Sequence, residues 1–348
     1  MLTRRKFLIS TTKVIGGLAA SQIFPGCFQK IDSGKKLFSF VQINDTHLVL
    51  PGNKGYPKVE EKLRSVISTI NSEENFALPD FVLFAGDIIE GKRLNLLQPE
   101  CEFAKSILDQ LKCPYYTVIG NHETLNTEGN PRFLNAYIRT FGEDKVHYSF
   151  IYKGIHFILF DNSNGLGSSK DVTVLRNKWL KEALASNSNP KIIICHIPLV
   201  SYREEDKLSN SFGYWSYKLQ GDNTLDIIQG FSDKIIAVLN GHVHLTGLIK
   251  TNNSLWGSSA NDIYHISPSG LASYPCHYAH YTVSENNIQV KMIQVKKELV
   301  TPESNIHGKY YHKIDYIDQD HLSPETYVCG NYNERNFSIP LIKKPELH

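Results

Sequence analysis

Short apolar runs recur along the chain, and the deepest of them stop abruptly at a glycine or a polar turn. Leu37 to Asn44, Phe81 to Ala85, Tyr115 to Ile119, Lys191 to Cys195 and Lys234 to Asn240 each have the length and composition of a buried strand. Between them, apolar residues fall at helical spacing. Val59, Leu63, Val66, Ile67 and Ile70 make one stripe, and Phe103, Ile107, Leu108 and Leu111 a second. Phe133, Leu134, Tyr137, Ile138 and Phe141 make a third, and Leu175, Trp179, Leu180 and Ala183 a fourth. A short helix is predicted near Asp222 to Gln229. Val146 to Tyr152 and Ile155 to Phe160 flank Lys153-Gly154, which reads as a hairpin turn. Further strands are predicted at Leu245 to Lys250, Asp262 to Ile266 and Asn287 to Val295.

Strands alternating with helices predict layered α/β packing, and the hairpins predict mixed rather than purely parallel sheets. No internal repeat is visible. The stretch 298–348 shows no periodicity and reads as an irregular C-terminal extension to a domain spanning 36–297.

The composition is that of a globular protein, with 41% hydrophobic and 21% charged residues, enough for a sizeable core. A net charge of +2 gives no electrostatic footprint for nucleic acid. The six cysteines have no C-x-x-C spacing, and Cys195, inside an apolar run, reads as a small buried hydrophobe. Cys276 and Cys329 could pair in an oxidising compartment.

Thr3-Arg4-Arg5-Lys6-Phe7-Leu8 opens the chain, followed by a weakly apolar stretch from Ile9 to Phe24 that Lys13 interrupts. It is too short and too polar to span a bilayer. It resembles a twin-arginine export signal over residues 1–30, the alternative being a disordered basic tail. That resemblance implies export machinery as a partner and a periplasmic or cell-envelope location. Phe24-Pro25-Gly26-Cys27 is similar to a lipoprotein processing site, which implies a lipid anchor at Cys27; ordinary cleavage nearby is the alternative. Replacing Arg4 and Arg5 with lysine should abolish export, and secretion unchanged by that replacement would rule the signal out.

Metal-capable side chains follow the core strands in turn: Asp45 and His47, Asp87, Asn121 with His122, His196, then His242 and His244. In an extended segment, His242 and His244 would point the same way. Each of these residues taken singly is ordinary strand-end polarity. Together they are a mixed oxygen and nitrogen donor set without thiolate, suited to manganese, iron, zinc or cobalt.

Asp45-x-His47, Gly86-Asp87, Gly120-Asn121-His122-Glu123, His196 and Gly241-His242-x-His244 resemble the calcineurin-like metallophosphoesterase signature, in the family's order, over about Phe40 to Leu245. The resemblance implies a four-layered α/β/β/α sandwich and a dinuclear centre of two divalent or trivalent ions. By position, Asp45, His47 and His244 would bind one ion. Asn121, His196 and His242 would bind the other, with Asp87 bridging. His122 matches the residue that contacts the phosphate and protonates the leaving group, and Glu90 the acid that orients this histidine. The implied reaction is hydrolysis of a phosphoester by a metal-bound hydroxide.

Protein serine/threonine phosphatases of this superfamily carry arginine before the Gly-Asn-His-Glu turn and Asp-Arg-Gly after Gly-Asp-x-x. Here Ile119 and Glu90-Gly91-Lys92 stand instead, which points to a small-molecule or nucleotide-type phosphomonoester or phosphodiester. Tyr202, Phe212, Tyr214, Trp215 and Tyr217 either form a lid that stacks on substrate or pack down on the domain. His265, Ser267 to Gly270, His277 and His280 are weaker candidates for the pocket. The competing functions are a catalytically silent metal- or ligand-binding relative of the same fold, and a metalloenzyme acting on something other than phosphate.

Overall fold

The computed structural model describes residues 34–124, 131–163, 170–207, 217–219, 223–251, 262–301 and 317–341. The export and lipidation segment therefore lies outside the described residues, as do Phe212, Tyr214 and Trp215.

Two six-stranded sheets form the centre. The first contains β1 (Lys36–Ile43), β2 (Phe81–Ala85) and β3 (Tyr115–Val118), all parallel. It continues from β1 through β10 (His277–Ser284), β11 (Asn287–Gln294) and β12 (Asn336–Pro340), each antiparallel to its neighbour. The second runs β4 (His147–Tyr152), β5 (Ile155–Phe160), β6 (Lys191–Ile194), β7 (Ile235–Leu239), β9 (Ile263–Ser267), β8 (Gly247–Thr251). Its four central strands are parallel and its two edges antiparallel. The β4–β5 hairpin turns at Lys153-Gly154 as expected, both residues at positive φ.

Side-chain alternation assigns the layers. On β1, Phe38 and Phe40 face the second sheet, whereas Val41 and Ile43 face outward. Phe81 and Leu83 of β2 also point inward, and Val82 and Phe84 outward. Both faces are covered, so β2 reads as an unbroken apolar run. Between the sheets the core is aromatic: Phe40 stacks on Tyr281 at 4.4 Å and meets Phe157 edge-on at 5.5 Å. The outer face of the first sheet packs on α1 (Val59–Asn71) and α2 (Leu97–Leu108) through Leu63, Val66, Ala104 and Ile107. The outer face of the second packs on α5 (Lys170–Ala185) and α6 (Thr224–Gln229) through Leu180, Leu184, Ile227 and Ile228. The remaining helices before α5 are α3 (Asn121–Thr124) and α4 (Pro131–Phe141). This is an α/β/β/α sandwich with two mixed sheets, as the resemblance implied.

Three features differ from expectation. Strand β10 was not predicted, because its buried positions include His277 and the sequence shows no clean apolar run. The C-terminal stretch is not wholly irregular: after α7 (Pro324–Cys329) and α8 (Tyr332–Arg335), β12 completes the edge of the first sheet. The domain thus draws on residues well past 297. Cys276 and Cys329 are separate buried thiols rather than a disulfide; Cys195 is buried and apolar in its surroundings, as expected.

Candidate metal centre

The site follows from the sheet directions. Strands β1, β2 and β3 run parallel, and so do β6 and β7, so the turns leaving their C-terminal ends gather at one end of the sandwich. Hydrogen bonds stitch the two sheets there: Gln42 Nε2 donates to the Asn240 carbonyl at 2.9 Å, and His196 Nδ1 to the Ala85 carbonyl at 2.8 Å. All seven predicted ligands are buried.

The turns are sharper than an extended reading allows. Asp45, His47, Asp87, His242 and His244 all have left-handed φ, between 45° and 73°. That conformation is unfavourable for non-glycine residues and clusters at functional sites. It also corrects the expectation for His242 and His244: they are not extended, and their rings go to different groups. Close approach explains two glycines. A Cβ on Gly86 (φ 87°) would lie 2.5 Å from His196 Nδ1, and one on Gly120 would collide with the backbone nitrogen and Oδ1 of Asp87.

Two groups of ligand atoms result, each within 4.8 Å: Asp45, His47 and His244, and Asp87, His196 and His242. In the first, His47 Nε2 lies 3.1 Å from His244 Nε2, and His244 Nε2 lies 3.1 Å from Asp45 Oδ1. In the second, His196 Nε2 is 3.0 Å from Asp87 Oδ2 and 3.1 Å from Asn121 Oδ1. Asp87 Oδ2 is also 3.7 Å from His47 Nε2, so this carboxylate lies between the groups. Asn121 thereby joins the second group through His196.

The tautomers test whether cations suit this arrangement. His196 Nδ1 faces a carbonyl, which only accepts, so that nitrogen carries the hydrogen. His47 Nδ1 faces the Glu90 carboxylate at 2.9 Å, with the same consequence. His244 Nδ1 is engaged by Ser273 Oγ at 2.6 Å. With hydrogen on Nδ1, a neutral His47 or His196 ring aims its Nε2 lone pair at other acceptor atoms. Buried acceptors facing acceptors are costly unless a cation lies between them. The donor set therefore fits metal, and outer partners holding Nδ1 are the usual support of metal-binding imidazoles.

Charge shifts describe the same concentration of opposite charges. Burial pushes the Asp45 carboxyl up, but His244 beside it outweighs this and holds it down at about 2. Burial disfavours a charged His196, yet the Asp87 carboxylate raises it to about 10. Asp87 itself is driven well below the usual carboxylate range, because His196 and His122 outweigh its burial.

His122 stands beside the first group, its ring 4.5 Å from that of His47. Its position is fixed twice: the backbone N–H donates to Asp87 Oδ1 at 2.8 Å, and Nδ1 to the Glu90 carbonyl at 2.6 Å. Glu90 was expected to orient His122 through its carboxyl group. Its carbonyl does so instead, while its carboxylate holds His47 and pairs with Lys92. His47, Glu90 and His122 also lie close enough for an ion, but their Nδ1 atoms are already hydrogen-bonded.

Sequence reasoning missed two residues. Glu123 is buried and accepts backbone N–H groups of Asp87, Ile88, Ile89 and Gly120 at 2.6–3.1 Å, fixing the turn that carries Asp87. Burial and the Asp87 charge raise its pKa to about 7. Its place in the Gly-Asn-His-Glu run was the available signal. Ser273 carries no such signal, since it reaches His244 from a loop after β9. Of the weaker candidates, His265 and His280 sit on strands and bond or stack elsewhere, with Thr251 and Phe76. Tyr202 and Tyr217 are buried against the domain, not raised as a lid.

Comparison with known proteins agrees with this geometry. A sequence model described as calcineurin-like phosphoesterase matches residues 38–245, more than half of the chain. A probable glycerophosphodiester phosphodiesterase of Arcobacter nitrofigilis is 28% identical over 223 residues, covering 62% of this chain and 73% of that protein. Among solved structures, a dimetal phosphatase from Danio rerio aligns with a TM-score of 0.54 at 16% identity, covering 75% of this chain and 100% of that one. The purple acid phosphatase PPD1 of yellow lupin (Lupinus luteus) aligns with a TM-score of 0.56 at 14% identity, covering 77% and 53%. At such identities the structures testify to the fold alone.

Proposed function

Because the chain belongs to the calcineurin-like phosphoesterase family, we propose that it hydrolyses small organic phosphodiesters at a centre of two metal ions. One ion is assigned to Asp45, His47 and His244, the other to Asn121, His196 and His242, with Asp87 shared. The observation that carries this reading is the pair of buried donor groups in which Nε2 of His47, His196 and His244 faces other donor atoms while Nδ1 of the same three rings is hydrogen-bonded.

When bound, two such cations neutralise phosphoryl oxygens and bring the pKa of water towards 7. The chain's own residues do the rest. Asp87 and Asp45 set the charge of the pocket, leaving it positive once filled and selective for anions. With its Nδ1 hydrogen held on the Glu90 carbonyl, protonated His122 carries its second proton on Nε2, and that atom delivers it to the departing alkoxide. Glu123 keeps the Asp87 turn in place through four backbone N–H groups.

Two observations support a diester over a phosphoprotein. Ile119 and Glu90-Gly91-Lys92 replace the phosphate-gripping arginines of protein phosphatases. The Arcobacter relative is described as a phosphodiesterase. A manganese-loaded preparation should hydrolyse bis-p-nitrophenyl phosphate faster than p-nitrophenyl phosphate, and should release alcohol from glycerophosphodiesters. The reverse preference would make it a monoesterase. Loss of both activities in a metal-loaded sample would favour a silent binding protein.

A further inference from the structure

The C-terminal segment that the sequence left without structure contributes to a buried charge network, and that network reaches the backbone two residues beyond His244. We propose that Arg203 is a positioning residue for the metal centre, clamping the turn that carries His244 to the C-terminal segment. The inference rests on the two-metal reading given above.

Arg203 lies in the loop that follows His196, and its guanidinium is fully buried at 0% side-chain exposure. A buried cation is tolerated only when paired and fully hydrogen-bonded. Here Nε and Nη2 donate to the Tyr327 carbonyl at 2.9 and 2.7 Å. Nη1 donates to the Tyr202 carbonyl at 2.7 Å and to Glu334 Oε1 at 3.0 Å. Nη2 also donates to the Thr246 carbonyl at 2.7 Å. The planar fork thus joins three parts of the chain: the loop after His196, the residue two places after His244, and α7–α8.

Thr246 is held from further directions. Its N–H donates to the Val328 carbonyl at 2.9 Å, and its hydroxyl bonds His277 Nδ1 at 2.8 Å. The 241–244 turn is held at its start by Gly241 N–H on the His196 carbonyl at 3.0 Å and by His242 N–H on the Asp45 carboxylate at 2.9 and 3.0 Å, and the Thr246 contacts hold its far flank. Glu334 is fixed in turn. Its Oε2 accepts from the Asn331 N–H at 2.7 Å and lies 2.7 Å from His321 Nε2, and His321 Nδ1 lies 2.7 Å from Asp318 Oδ1. A run of charged and polar groups from Asp318 to Arg203 therefore ends on the backbone next to a proposed metal donor. Small shifts of a donor degrade a metal site, which is why residues behind the ligands affect affinity.

The test is calorimetric titration of manganese into metal-stripped full-length protein. Wild type is compared with Arg203→Met, Glu334→Gln and a control, Phe157→Leu, which loosens the inter-sheet core far from the turn. Arg203→Met and Glu334→Gln should each lose about 10-fold or more in manganese affinity, with kcat recovering at saturating manganese. Phe157→Leu should lower the thermal midpoint and leave the affinity unchanged. Folded Arg203→Met that binds manganese as wild type does, or loses no more than Phe157→Leu, overturns the inference. If Arg203→Met does not fold, Glu334→Gln decides on the same terms. A wild-type protein that binds no manganese overturns the two-metal reading itself, and the positioning role with it.

Discussion

His122 shows how finely single residues divide the work. Its backbone N–H serves Asp87 and its ring serves Glu90, so removing the imidazole leaves the Asp87 contact in place. His122→Ala should therefore keep manganese stoichiometry and lose roughly 10²–10⁴-fold in turnover, the range for a general acid. Activity equal to wild type would mean the leaving group gets its proton elsewhere. At this scale the sequence was legible wherever a donor side chain closes an apolar run, as Asp87 does after Phe81 to Ala85. It was illegible where a residue acts through the backbone. Glu123 binds four N–H groups that only the folded turn brings together, and Glu90 uses its carbonyl where its carboxyl was expected. The left-handed φ of five proposed ligands was equally hidden, because tertiary contacts impose it against local preference.

The strands were read well where both faces are apolar, and β10 was lost because histidines share its sequence with small and aromatic residues. Those buried histidines have a consequence of their own. Burial lowers His265 on β9 to about 3, and lowers His156 on β5 and His280 on β10 to about 4. Each is neutral in the fold, whereas the unfolded chain takes up protons once the pH drops below about 6.5. The unfolded state then binds more protons, so stability is intact above that pH and falls as the pH descends towards the folded values. The limiting slope is about 1.4 kcal/mol per pH unit for each group. Urea midpoints measured from pH 7 to pH 4 should fall for wild type and fall less for His265→Gln. Parallel declines in the two proteins would show that His265 does not contribute.

Across the whole molecule, the parallel strands of two sheets end at one place, and donors separated by some two hundred residues meet there. The order of the donors was readable from the sequence, and the family resemblance divided them into the two groups that the fold brings together; the bend of the 241–244 turn that sends His242 and His244 to different groups was not readable. The C-terminal segment was likewise opaque, because α7 and α8 are short and β12 is an edge strand whose register comes from β11. No helix among the described residues is long and apolar enough to cross a membrane. Crystals of the manganese-loaded protein, with anomalous scattering measured at the manganese edge, test the central claim most directly. Two peaks are expected, one against Asp45, His47 and His244, the other against Asn121, His196 and His242, with Asp87 touching both. An absence of peaks there, or a single ion held by His47, Glu90 and His122, would contradict the account.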